Sequence, residues 1–252
     1  MTCVLVLLSV GVHPASGGNR RAVRDARALE LALSVPGLSE LNAVHAGDPN
    51  APALRDYLGM GLDRLTVLDL PAGNDPVPAL INHARSISPD LILTGSQAES
   101  GEDSGMVPYL LAEALGLAVA REVTDLELAG DHALIKQSLP RGRRQQAYCP
   151  LPAVLGVSLS ASPPRQPSFV RARAGEILVE QTMPSKDSFQ DSCELRPYRK
   201  RTARKPSGGS ARDRLKAATE IKTGEGRTLV HPTPDEAARE ILAYLQAKGV
   251  AQ

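Results

Sequence analysis

Up to residue 115 the chain alternates short apolar runs with amphipathic segments, and nothing else in the sequence restricts the fold as strongly. Residues 4–10, 40–46, 64–69 and 90–94 read as strands. Between them, residues 21–33 place Val23, Ala26, Leu29, Ala32 and Leu33 on one helical face, and 52–58, 76–86 and 104–115 carry further helix patterns. A helix between two strands is long enough to return the chain to the same end of a sheet, so the strands run parallel and the helices cover both faces. The expected fold is therefore α/β, with a doubly wound, mainly parallel sheet. Ligands of such sheets lie beyond the carboxyl ends of the strands, where the strand order reverses.

After residue 115 the rhythm changes. Residues 121–128 and 132–138 read as strands joined by a Gly130-Asp131 turn, 143–148 extend this β-ribbon insertion, and 152–159 return to a buried strand. Ser162-Pro-Pro-Arg-Gln-Pro167 is stiff and extended, because proline fixes the backbone and cannot donate to a ladder. From about Asp191 the chain turns basic, with Arg196, Arg199, Lys200, Arg201, Arg204 and Lys205 ahead of Pro206-Ser-Gly-Gly-Ser210. A last helix follows, with Thr233 as N-cap, Pro234 at its first position and Ala237, Ile241, Tyr244 and Leu245 as its apolar stripe. The expected division is an α/β domain over 1–190 and a basic linker with an extended C-terminal arm over 191–252.

The loop Thr94-Gly-Ser-Gln-Ala-Glu-Ser-Gly-Glu-Asp-Ser-Gly105 lies between a buried strand and a helix. Free amides at a helix start, together with the helix dipole, suit a phosphate. Asp103 or Ser104 is the expected N-cap, and Gly105 lets backbone approach a ligand closely. The same spacing also fits an ordinary strand-to-helix turn. Glu99, Glu102 and Asp103 read as capping and solvating residues rather than as an acid–base set.

Catalytic patterns are missing. His13, His45, His83, His132 and His231 have no metal-ligand spacing, Ser158 and Ser160 lack a nucleophile elbow, and no G-x-G-x-x-G follows the first strand. Cys3, Cys149 and Cys193 fit neither a disulfide framework nor a zinc site, so a reducing cytoplasm is the expected compartment. Residues 1–10 lack the basic flank of a signal peptide and read as a buried first strand. A net charge of +1 argues against attraction of the whole protein to nucleic acid or acidic membrane. The basic run at 196–205 has only Tyr198 beside it for stacking, so it reads as a solvated arm or a docking segment for an acidic partner.

Five fragments in order resemble the beta subunit of electron-transfer flavoproteins. Leu58-Gly-Met-Gly-Leu-Asp-Arg64 is similar to that family's Ala-Met-Gly-Ala-Asp-Arg turn, and Pro89-Asp-Leu-Ile-Leu-Thr-Gly-Ser-Gln-Ala98 to its Pro-Asp-Leu-Val-Leu-Thr-Gly-Lys-Gln-Ala stretch. Asp103-Ser-Gly-Met-Val-Pro-Tyr-Leu-Leu-Ala-Glu-Ala-Leu-Gly116 follows the family's next helix, Leu151-Pro-Ala-Val154 its Leu-Pro-Ala-Val strand, and Pro164-Arg-Gln-Pro-Ser-Phe169 its Pro-Arg-containing loop. The resemblance covers roughly residues 1–180 and, more weakly, the terminal helix.

The resemblance implies an adenine-nucleotide-binding type of α/β fold in a subunit without catalytic residues of its own. The implied partner is an alpha subunit, in a heterodimer whose FAD that alpha subunit mainly holds. The complex would accept electrons from a flavin dehydrogenase and pass them to a quinone-linked oxidoreductase. Carried over by position, an AMP site would include Leu7, Ala46, Gly95, Ser96, Gln97, Ala98, Glu102, Asp103, Ser104 and Gly105. A docking loop at about 160–172 would present Pro164, Arg165 and Phe169, with Phe169 as the inserted apolar anchor. The sequence departs from the family in the segment that lines the AMP pocket, where Asn-Pro-x-x-Glu is replaced by Ala22-Val-Arg-Asp-Ala26, and the 99–102 turn differs in length. AMP, a second FAD or nothing would each be compatible with these residues. The alternative function is a stand-alone adenine-nucleotide-binding sensor or hydrolase of the same fold.

Overall fold

The computed structural model describes residues 2–101, 104–187, 191–194, 210–212, 215 and 229–247. The chain divides into two compact units, Met1–Glu194 and Leu195–Gln252. In the first unit β1 (Cys3–Leu7), β4 (Glu40–Gly47), β5 (Arg64–Asp69) and β6 (Leu91–Gly95) alternate with α1 (Val23–Ser34), α2 (Ala53–Gly59), α3 (Val77–Ile87) and α4 (Val107–Leu115). A small antiparallel hairpin, β2 (Val10–Val12) and β3 (Asn19–Arg21), separates β1 from α1. The remaining elements are β7 (Ala118–Ala129), β8 (His132–Ser138), β9 (Arg144–Pro150), β10 (Ala153–Val157), α5 (Phe169–Ala174) and β11 (Glu176–Gln181).

The main sheet runs β11-β5-β4-β1-β6-β10-β7-β8-β9. Strands from β11 through β7 pair parallel, and β8 and β9 add an antiparallel ribbon at one edge. The order reverses between β1 and β6, so the switch point lies at their carboxyl ends. This is the doubly wound α/β sheet expected from the alternation, with the expected ribbon insertion.

Strands buried on both faces explain the continuous apolar runs: β6 and β10 are buried at every residue. Side chains alternate between two cores. Val4, Val6, Leu91 and Leu93 join α1 and α2 through Leu29, Leu54 and Tyr57. Leu5, Leu7 and Ile92 join α3 and α4 through Leu80, Ala84 and Leu111.

Three local departures from the sequence reading have physical causes. β1 stops at Leu7, because beyond it the Ser9 amide bonds to Asp25 and the Ser9 carbonyl accepts from Tyr57 Oη, so the ladder cannot continue. Helix α4 begins at Val107 and not at Ser104; Met106 is its N-cap and makes no side-chain cap bond. Pro108 has no N–H to give the ladder and is tolerated only in the first turn, which fixes the start. Ser104 is thus not the N-cap, although its Oγ accepts the Met106 amide at 3.4 Å; Asp103 lies outside the described residues. Finally, β11 adds a parallel edge strand beside β5 that the sequence reading did not single out.

In the second unit, α6 (Pro234–Ala247) opens on a capping box. The Thr233 amide donates to Glu236 at 3.0 Å, and the Glu236 amide donates back to Thr233 Oγ1 at 3.4 Å. Within the apolar stripe, Ile241 and Tyr244 are exposed and Ala237 and Leu245 half-buried. The basic run at 196–205 lies outside the described residues. Among the described residues no helix is long and apolar enough to cross a membrane.

Candidate functional site: the switch-point crevice and the 164–169 strap

Four backbone amides meet at the carboxyl ends of β1 and β6, and each is claimed by a side chain of the protein. Asp25, in the first turn of α1, accepts the Ser9 amide at 2.7 Å and the Gly95 amide at 2.9 Å, and also takes the Ser9 hydroxyl. Glu99 reaches back from the 94–105 loop to accept the Val23 amide at 2.8 Å, which caps α1. Arg20 grips the other oxygen of Glu99 through Nε at 3.1 Å and Nη2 at 2.9 Å. The Ala22 amide donates to Tyr57 Oη at 2.9 Å, and that hydroxyl donates to the Ser9 carbonyl at 2.8 Å. Glu99 is therefore a capping residue, as its placement suggested, but for a helix far from it in sequence.

Asp25 is 5% exposed, and burial pushes its carboxyl up to about 6 despite the bonds from Ser9 and Gly95. Packing around both acids is close. A Cβ on Gly95 would lie 2.3 Å from Asp25 Oδ1, and one on Gly11 would lie 2.3 Å from Glu99 Oε2. His45, at the end of β4, is also buried; its Nδ1 donates to the Leu8 carbonyl at 2.9 Å and burial lowers its pKa, so it holds the backbone rather than facing a ligand.

Among the described residues, those carried over as a nucleotide site are divided between the core, the switch point and a cavity. Leu7 is a core residue of the α3–α4 face, Ala46 packs against that core, and the Gly95 amide is bound to Asp25. Ser96, Gln97, Ser104 and Gly105 line a cavity of about 240 Å³ on the β10–β7 side, together with Arg24 and Arg121. Gly105 is required there: its φ is +70°, and a Cβ would lie 2.9 Å from the Ser96 carbonyl. Ala98 is half-buried in the loop, and Glu102 and Asp103 lie outside the described residues.

The 164–169 strap lies against α1 and α2. Arg165 pairs with Glu30 of α1 in a fork, Nε to Oε2 at 2.8 Å and Nη2 to Oε1 at 2.9 Å, and its amide also reaches Oε2 at 2.9 Å. These bonds hold the Glu30 carboxyl below its ordinary pKa. The Arg165 carbonyl accepts from Arg21 at 3.1 Å, and the Ser168 amide donates to the Gly59 carbonyl at 2.9 Å. Gly59 permits that approach, since a Cβ there would sit 2.8 Å from Pro167. The glycine of the Leu58-Gly-Met-Gly turn thus has a physical reason in a segment more than a hundred residues away. Pro164 is half-buried, whereas Phe169 is 79% exposed at the first position of α5, beside Val170. Arg165 holds the strap in place and Phe169 projects from it. The sequence offered no sign of Glu30, Gly59 or Asp25 in these roles.

A doubly wound α/β domain with a closed switch point and an anchored, projecting strap is the class that the geometry defines; among the described residues no cluster of His, Cys, Asp and Glu could hold a metal. Residues 18–182 match the electron transfer flavoprotein domain. Over 98% of its length the chain is 39% identical to the electron transfer flavoprotein subunit beta of Chromohalobacter salexigens, covering 95% of that protein. It is also 34% identical over 134 residues, 52% of each chain, to the electron transfer flavoprotein subunit beta of Syntrophomonas wolfei. The chain belongs to the electron transfer flavoprotein beta-subunit family.

Proposed function

We propose that this protein pairs with an electron transfer flavoprotein alpha subunit, that the alpha subunit holds the working FAD, and that the 164–169 strap docks flavin dehydrogenases. The observation that carries the docking reading is Phe169: a large apolar side chain left 79% exposed on a strap whose backbone is tied down on both sides. An anchor already held in place loses little conformational freedom on binding, so more of its burial appears as affinity. Bound FAD would supply the electron-accepting ring. The contribution of this chain is to position the partner, shelter one side of the flavin domain and present the anchor. Electrons would leave toward a quinone-linked oxidoreductase. The exposed Ile241 and Tyr244 of α6 fit a helix whose apolar stripe is covered by the alpha subunit.

Mixing the chain with its alpha subunit is expected to give a yellow one-to-one complex on size-exclusion chromatography, with one FAD. A colourless chain that elutes alone beside its candidate partner would overturn the pairing.

A further inference from the structure

We infer that the switch-point crevice is filled by the protein's own carboxylates, Asp25 and Glu99, in the place of a nucleotide phosphate, so that this subunit folds and pairs without AMP. A phosphate bound at such a crevice depends on free amides at strand ends and helix starts. Here the amides of Ser9, Val23 and Gly95 already end on carboxylate oxygens, and that of Ala22 ends on the Tyr57 hydroxyl. A ligand would have to displace two acceptors, leaving Asp25 buried without its backbone donors and Glu99 with Arg20 alone, a cost that opposes what a phosphate regains by taking over the same bonds.

Charge and space act in the same direction. Arg20 balances Glu99, but among the described residues no cation lies within ion-pair distance of Asp25, and its elevated pKa reflects a site that already resists one negative charge. A phosphate carrying about −1.5 to −2 beside it would add like-charge repulsion. Glycines usually leave room for a ligand at such loops, yet the room beside Gly11 and Gly95 is taken by Glu99 and Asp25 to within 2.3 Å of a would-be Cβ. The residues also trace back to the sequence: Asp25 belongs to the Ala22-Val-Arg-Asp-Ala26 segment and Glu99 to the altered 99–102 turn. The cavity on the β10–β7 side offers no substitute. Its volume of about 240 Å³ is below the 300–1,000 Å³ usual for ligand pockets, and Leu7 and Ala46 are not among its lining residues.

Pairing without AMP rests on the proposed heterodimer, whereas the filled crevice belongs to this chain alone. The complex with the alpha subunit, denatured and extracted, is expected to release FAD and no AMP by mass spectrometry, and titration with millimolar AMP is expected to show no saturable heat. The full chain alone, melted with increasing AMP, is expected to keep its melting temperature, because only a ligand that binds the folded state raises it. One AMP per complex, saturable binding, or a concentration-dependent rise in melting temperature would overturn the inference. Any of those results would leave the pairing untouched, whereas failure to form the complex would leave the melting experiment decisive.

Discussion

Replacing Phe169 with alanine is expected to weaken productive docking to the dehydrogenase about thirtyfold while leaving the fold and the partner complex intact. A central apolar anchor of an interface contributes about 2 kcal/mol or more, and that energy corresponds to the stated factor. A phenylalanine packed in a core would instead cost about 3–5 kcal/mol of stability on truncation. At 79% exposure the ring cannot be such a core residue, so the melting temperature of Phe169→Ala should stay within the scatter of surface substitutions. The strap itself remains fixed in the variant, since Arg165–Glu30 and Ser168–Gly59 do not involve the ring. Steady-state transfer measured against dehydrogenase concentration reads the effect. Unchanged transfer would remove Phe169 from the docking surface, and a strongly lowered melting temperature would place it in the core.

A comparable effect is expected from Asp25, read as stability against pH. Its carboxyl titrates near 3.8 when exposed and at about 6 in the folded protein. A folded-state value above the unfolded one means that folding favours the protonated form. The contribution is therefore complete below about pH 4 and is lost as the pH rises through about 6, a change of about 3 kcal/mol. Asp25→Asn cannot titrate, and it must set an amide N–H against the Ser9 or Gly95 donors at every pH. Between pH 4 and pH 7 the native protein should lose about 2 kcal/mol of this relative to Asp25→Asn in urea unfolding. Unfolding curves that keep a constant separation across that range would show that Asp25 is not held in this way.

The alternation of periods made the parallel sheet and its helices legible, because burial on both faces forces uninterrupted apolar strands such as Leu91–Gly95. It could not show where β1 ends, since Leu8 and Val10 are as apolar as the strand before them; the stop is imposed by Asp25 and Tyr57 from other elements. The start of α4 was readable from Pro108, but the capping residues upstream suggested an earlier one. In the site, Glu99 showed its type but not its target, because a cap supplied from 76 positions away leaves no local pattern. The fork between Arg165 and Glu30 spans 135 positions and is equally silent in sequence. The exposure of Phe169 was suggested by the prolines around it, and the structure supplies its reason in the bonds that tie the strap to Gly59 and Glu30.

Electron delivery to a flavin held by another subunit is the role we propose for this chain. Its most direct test is the rate at which a reduced flavin dehydrogenase bleaches the FAD absorbance of the alpha subunit, measured with and without this protein. Rapid bleaching only when the two subunits are together is the expected result. Equal bleaching of the alpha subunit alone, or none with both present, would contradict the account.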